Sequence, residues 1–277
     1  MNLLFAINRK FTDLLCCCIH SVMEKGGAAQ YEAYILHSDL NPEDITRICR
    51  EAGSRMRCHF LSVDESIFEG FPETQRYPRQ IYYRLAAPLL LPRELDRVLY
   101  LDVDLVVINS LQELYDMDFE GNYYVACSHV RQFLTKVNQL RLGVEDHVPY
   151  INTGVMLLNL PLLRRNLTME QIRDTAQKKM HTFMLPDQDL LTVMHGEHIK
   201  LVDTMRYNLS DRMLLAHNAN PRNDPIDLRW VRENAVVIHY FGKNKPWYRD
   251  YLGILDVFFR ENLDTMECPP CFPQEPA

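Results

Sequence analysis

The chain has 277 residues, with 30 Lys and Arg against 37 Asp and Glu, a formal net charge of −7 with His neutral. Its 47% hydrophobic and 24% charged residues are the balance of a folded protein and exclude a disordered chain. The mild acidity argues against a nucleic-acid binder, which relies on a basic surface, and gives no electrostatic reason to sit on an anionic membrane.

The sequence contains no convincing transmembrane segment. Residues 14–23 are free of charge but too short to span a bilayer, and 147–163 is interrupted by Pro149, Asn152, Gly154, Asn159 and Pro161. Near the N-terminus Arg9 and Lys10 follow a short apolar stretch rather than precede it, the wrong order for a leader, so a cytoplasmic protein is expected. Of eight cysteines, Cys16, Cys17 and Cys18 lie in an apolar run and are expected to be small buried hydrophobes. Cys268 and Cys271 have metal-pair spacing but no second pair to complete a structural zinc site.

In chain order, residues 3–7 read as a strand, 13–25 as a helix, 31–36 as a strand and 58–63 as another. Between the last two, Pro42 opens a helix with Ile45, Ile48 and Cys49 at helical spacing. Strands alternating with helices predict βαβ units around a mostly parallel sheet. Next come an apolar helix over 82–91 and a strand from Val98 that is apolar on both faces until Asp102 and Asp104 interrupt it. Ligands in open α/β sheets bind beyond the carboxyl ends of strands, so these two aspartates mark where this strand leaves the core. A second apolar run covers 150–160, surface and apolar helices cover 171–179 and 190–194, and a last strand over 235–241 ends at Gly242. An amphipathic helix is expected from Trp247 to about Phe259. The tail from 263 is rich in proline and is expected to be disordered.

Asp102 and Asp104 stand at i and i+2, which in a strand places both carboxylates on one face, where they can share a cation. Hard oxygen donors suit Mg²⁺ or Mn²⁺ bound together with a substrate phosphate. The plain alternative is a solvated turn, and Asp187-Gln188-Asp189 repeats the same spacing. His239 at the end of an apolar strand is either a ligand or a satisfied core histidine. The loop 242–247 carries a glycine and two lysines, suited to phosphate oxygens or simply a surface loop.

Together these segments resemble the retaining glycosyltransferases of family 8. The similarity is carried in order by Phe5-Ala6, Tyr83-Arg84-Leu85, residues 98–104, Asn152-Thr153-Gly154 with the run to Leu160, Pro186-Asp187-Gln188-Asp189, and His239 through Trp247. The resemblance implies an α/β GT-A fold in a single large domain over 1–262. Its nucleotide-binding part would be about 1–108 and its part for donor sugar and acceptor about 109–262. It implies UDP-galactose or UDP-glucose as donor, a saccharide acceptor, and Mn²⁺, with Mg²⁺ as substitute, held by Asp102, Asp104 and His239. Ala6, Ile7, Asn8, Arg84, Val103, Asn152, Thr153, Gly242 and Lys245 would line the donor site. Asp187 would hold sugar hydroxyls, and Gln188 would lie by the anomeric carbon.

Where relatives carry acidic residues after the first strand this chain has Asn8-Arg9-Lys10, and His129 stands near an acidic acceptor contact of galactosyltransferase relatives. A sugar nucleotidyltransferase would need a glycine-rich loop near the N-terminus, which residues 8–13 lack. A non-catalytic sugar-nucleotide or glycan binder would have little need of all three presumptive ligands.

Overall fold

A computed structural model describes residues 1–71, 73, 79–128 and 132–272; His129 lies outside them. The chain opens with β1 (Asn2–Ala6), α1 (Thr12–Lys25), β2 (Tyr31–His37), α2 (Pro42–Ala52) and β3 (Met56–Ser62). The start of α2 follows from its sequence. Pro42 is pre-set for a first turn, and Asn41 and Asp44 exchange side-chain and backbone hydrogen bonds as a capping box. Then come α3 (Tyr83–Leu90), β4 (Arg97–Leu101), β5 (Leu105–Val107), α4 (Gln112–Asp116), β6 (Tyr124–Cys127), α5 (Gln132–Leu142) and β7 (Asn152–Asn159). The C-terminal third holds α6 (Leu160–Asn166), α7 (Met169–Lys179), α8 (Pro186–His195), β8 (Ile199–Leu201), α9 (Thr204–Tyr207), α10 (Asp211–Asn218), α11 (Leu228–Asn234), β9 (Val237–His239) and α12 (Asp256–Thr265).

The main sheet has the order β3-β2-β1-β4-β7-β6-β8, and only β7 runs against its neighbours. Side-chain alternation sorts the core onto its two faces. Leu3 and Phe5 of β1 share one core with Leu15 and Ile19 of α1, while Leu4 belongs to a second core with Tyr100, Leu85 of α3 and Leu190 of α8. This is the mostly parallel, helix-flanked α/β sheet expected from the sequence. Cys16, Cys17 and Cys18 lie buried in α1, and burial pushes the Cys16 thiol up to about 12. No helix among the described residues is long and apolar enough to cross a membrane.

Three expectations are corrected. The last strand is shorter than 235–241, and β9 leaves the main sheet to pair antiparallel with β5. The helix expected from Trp247 begins only at Asp256, because residues 251–255 are tied to α10 instead. The Asp211 carboxylate accepts the amides of Ile254 and Leu255 and the Tyr251 hydroxyl, and Gly253 passes so close that a Cβ would meet that carboxylate at 2.3 Å. Finally, ordered structure continues past 262: α12 runs to Thr265, Met266 is buried, and the Phe272 ring stacks on Trp247 at 5.2 Å. Residues 273–277 lie outside the described part.

Candidate functional site

The residues singled out in the sequence line one cleft of about 650 Å³ at the carboxyl ends of β1 and β4. Ala6, Ile7 and Asn8 leave β1, Arg84 comes from α3, and Asn152 and Thr153 begin β7. Asp187 and Gln188 sit in the first turn of α8, His239 ends β9, and Gly242 and Lys245 lie in the loop after it. Gln80, Ser210, Asp211 and Arg212 also line the cleft and carried no pattern that singled them out.

Asp102, Val103 and Asp104 occupy the turn between β4 and β5 rather than a strand. The Asp102 amide still donates to the Gly154 carbonyl at 2.7 Å, the last hydrogen bond before the chain leaves the sheet. The register of the small sheet then sets the site. Leu105 pairs with His239, and the Tyr240 amide donates to the Asp104 carbonyl at 2.9 Å, bringing the two side chains together. Asp102, Asp104 and His239 offer ligand atoms that all lie within 4.8 Å of one another. His239 Nε2 is 3.0 Å from Asp104 Oδ1 and 3.7 Å from Asp102 Oδ2. Two carboxylates and an imidazole nitrogen form a donor set that fits a borderline-hard divalent cation.

Gly154 makes this cluster possible. A Cβ there would meet His239 Cε1 at 2.2 Å and Asp102 Oδ2 at 2.6 Å. Gly154→Ala is therefore expected to destabilise the protein by about 1–3 kcal/mol through overpacking, measured by urea unfolding. Gly242 serves differently: its φ of 90° lets the loop turn back toward the cluster at a conformation other residues resist.

Positive charge surrounds the carboxylates. Lys245 Nζ donates to Asp104 Oδ2 at 2.5 Å and to the Tyr240 carbonyl at 2.8 Å, and lies 5.6 Å from the centre of the Trp247 ring. Burial works to raise the Asp104 pKa, but Lys245 and His239 outweigh it and hold the carboxyl well below the usual range. Arg84 pairs with Asp102 at 3.0 Å and Asp187 at 3.4 Å, and it lies 4.6 Å from the centre of the Tyr100 ring. Burial alone would weaken its charge, and the neighbouring Asp102, Tyr100 and Asp187 more than offset this.

Asp187 is not a helix cap. Its Oδ2 accepts the Thr153 hydroxyl at 2.7 Å, and burial raises its carboxyl above the ordinary range against the pull of Arg84 and Thr153. The Gln188 side-chain oxygen is buried with no hydrogen-bond partner among the described residues. The capping role falls instead to Asp189, whose Oδ2 accepts the amides of Met184 and Leu185 at 2.6 and 3.0 Å. Asn8 uses its side-chain oxygen locally, accepting the Lys10 amide at 3.1 Å. Asn208 and Tyr100 were not foreseen. Tyr100 donates to Asp102 Oδ1 at 2.7 Å, and Asn208 Oδ1 lies 2.9 Å from His239 Nδ1.

Residues 2–250 match the model of glycosyl transferase family 8. The chain belongs to glycosyltransferase family 8. It is 27% identical to lipopolysaccharide 1,2-glucosyltransferase of Escherichia coli, over 89% of this chain and 73% of that protein. It is also 27% identical to lipopolysaccharide 1,3-galactosyltransferase of Salmonella typhimurium, over 89% of this chain and 73% of that protein. The crystal structure of the galactosyltransferase LgtC in complex with donor and acceptor sugar analogs superimposes with a TM-score of 0.81. The two are 26% identical, with 98% of each chain covered. The sheet described above is thus a GT-A fold.

Proposed function

We propose that this family 8 glycosyltransferase moves a hexose, galactose or glucose, from a UDP-sugar to a hydroxyl of a saccharide acceptor, with retention at the anomeric carbon. The relatives that act on lipopolysaccharide make an acceptor of that type the one to try first. The observation that carries the reading is the convergence of Asp102, Asp104 and His239 in a cleft that also presents Arg84, Lys245 and Asp187.

In this reading Asp102, Asp104 and His239 hold Mn²⁺, or Mg²⁺ in its place, and the bound cation supplies Lewis-acid stabilisation of the charge on the departing diphosphate. Lys245, which donates to Asp104 and to the Tyr240 carbonyl, would set a second positive charge beside the diphosphate. Asn8, with its oxygen engaged by Lys10, keeps its amide nitrogen for a carbonyl of the base. Asp187 accepts hydroxyls of the donor sugar while Thr153 and Arg84 hold it in place.

Retention follows from what flanks the anomeric carbon. Gln188 is an amide and neither a base nor a good nucleophile. Of the carboxylates on either side of it, Asp187 is taken up by the donor sugar, Thr153 and Arg84 in this reading, and Asp189 is completely buried and already accepts from Arg141, Tyr150 and two amides. The acceptor hydroxyl therefore attacks on the face that UDP leaves. Its oxygen bonds to the anomeric carbon, the bond to the phosphate oxygen breaks, and the hydroxyl proton passes to the departing phosphate.

Release of UDP from UDP-glucose and UDP-galactose, with and without Mn²⁺, tests the reading. Release of UDP from at least one donor, stopped by chelator, is expected, and no release from either would refute it. Lys245→Ala is expected to lower kcat/KM about ten- to a hundredfold, the loss of a charge-assisted contact of about 1.5–3 kcal/mol. Steady-state kinetics at saturating Mn²⁺ measures it.

A further inference from the structure

We propose that Asn208 is the positioning residue for His239: anchored by Asn152, it keeps the ring as the Nδ1–H tautomer and so turns the Nε2 lone pair toward a bound divalent cation. The inference rests on the metal site of the preceding section and adds how that site is preset.

One backbone group fixes the direction of each hydrogen bond from Gly154 through Asn152 and Asn208 to His239. The Gly154 amide can only donate, and it donates to the Asn152 side chain at 2.9 Å, so the atom it meets is the oxygen. That oxygen can only accept, so the Asn208 group 3.0 Å from it is the Nδ2 amine. The remaining Asn208 atom, 2.9 Å from His239 Nδ1, is then the oxygen, and Nδ1 must carry the hydrogen. Nε2 is left facing Asp104 and Asp102. With Nδ1 holding its hydrogen against Asn208, Nε2 is the ring nitrogen left for a cation shared with the two carboxylates.

Burial makes the arrangement exclusive. Asn208 is 0% exposed, His239 1% and Asn152 5%, so solvent has little room to replace a missing partner. The backbone places Asn208 without help from its side chain. Leu209 bridges Ile238, its amide donating to the Val237 carbonyl at 3.0 Å and its carbonyl accepting the His239 amide at 2.7 Å. The side chain is therefore free to serve the ring. Groups that orient a ligating histidine in this way typically change metal affinity by 10–100-fold when removed.

The test uses the full chain with UDP and Mn²⁺. Electron paramagnetic resonance counts free Mn²⁺, and electron spin echo modulation reports an imidazole nitrogen on the metal. Asn208→Leu is expected to weaken Mn²⁺ binding about 10–100-fold and to lose the nitrogen signal. Asn208→Asp, which still accepts from Nδ1–H but loses the amine that Asn152 anchors, should recover that signal in part. Unchanged affinity and signal in a folded Asn208→Leu protein would overturn the proposal. If that variant does not fold, ¹⁵N NMR of the wild-type protein decides. A proton on His239 Nδ1 and none on Nε2 in the Mg²⁺–UDP complex is expected, and the reverse would overturn it. Should the wild type bind neither cation, the metal reading fails. The same spectrum of the metal-free protein then shows separately whether Nδ1 carries its proton.

Discussion

Asp104→Asn is expected to lower UDP-sugar turnover about a thousandfold, corresponding to several kcal/mol of lost charge stabilisation, while the protein keeps its fold. Asp104 is where the site's charges meet: one carboxylate oxygen faces His239 Nε2 at 3.0 Å and the other accepts Lys245 at 2.5 Å. Asn retains the size and one acceptor but neither the charge nor the affinity for a divalent cation. Melting followed by circular dichroism should resemble wild type, and UDP release assayed with excess Mn²⁺ should not recover. Turnover equal to wild type would remove Asp104 from the site.

Asp189→Ala is expected to cause the largest loss of stability, about 3–5 kcal/mol, as for a buried charge pair stripped of one partner. Asp189 is 0% exposed and receives Arg141 through two nitrogens at 2.9 and 2.7 Å. It also receives the Tyr150 hydroxyl at 2.7 Å and two main-chain amides. Its removal strips the Arg141 guanidinium of its counter-charge, leaving it only neutral acceptors such as the Thr182 carbonyl and the Asn138 side chain, and takes an acceptor from the Met184 and Leu185 amides. The same bonds tie α5 and the segment before α8 together, so Asp187 and Gln188 lose their support as well. Urea unfolding measures the stability. Asp189→Asn, which keeps one acceptor oxygen, should fall between the two.

The parts of the site that were legible in the sequence are those in which one short segment carries its own evidence. Asp102 and Asp104 interrupt an apolar strand, and His239 ends another, so hydrophobic pattern alone marks where each leaves the core. Their meeting was not in the pattern. It depends on β5 pairing with β9 in a separate sheet, a register set by neighbours far away in the chain. Asn208 was invisible for the same reason, as a single polar residue in a polar stretch has no periodicity to break. Asp189 stood beside two named residues, yet its role depends on Arg141 and Tyr150, which lie on other elements. The βαβ order of the first half was legible because each strand and helix there is long and regularly patterned. The helix expected from Trp247 was misplaced because Asp211, 43 and 44 residues earlier in the chain, takes the amides of Ile254 and Leu255 and holds that stretch as a loop.

We propose that this cleft cleaves a UDP-hexose, with the anomeric carbon attacked on the face that UDP leaves. Proton NMR of UDP-glucose or UDP-galactose, incubated with enzyme and Mn²⁺ and followed from the first minutes, tests it without knowledge of the acceptor. Mn²⁺-dependent loss of the donor is expected, with the transferred or released hexose appearing first as the α anomer, marked by its small anomeric coupling. A β anomer with a large axial–axial coupling appearing first, or both donors persisting unchanged, would contradict it.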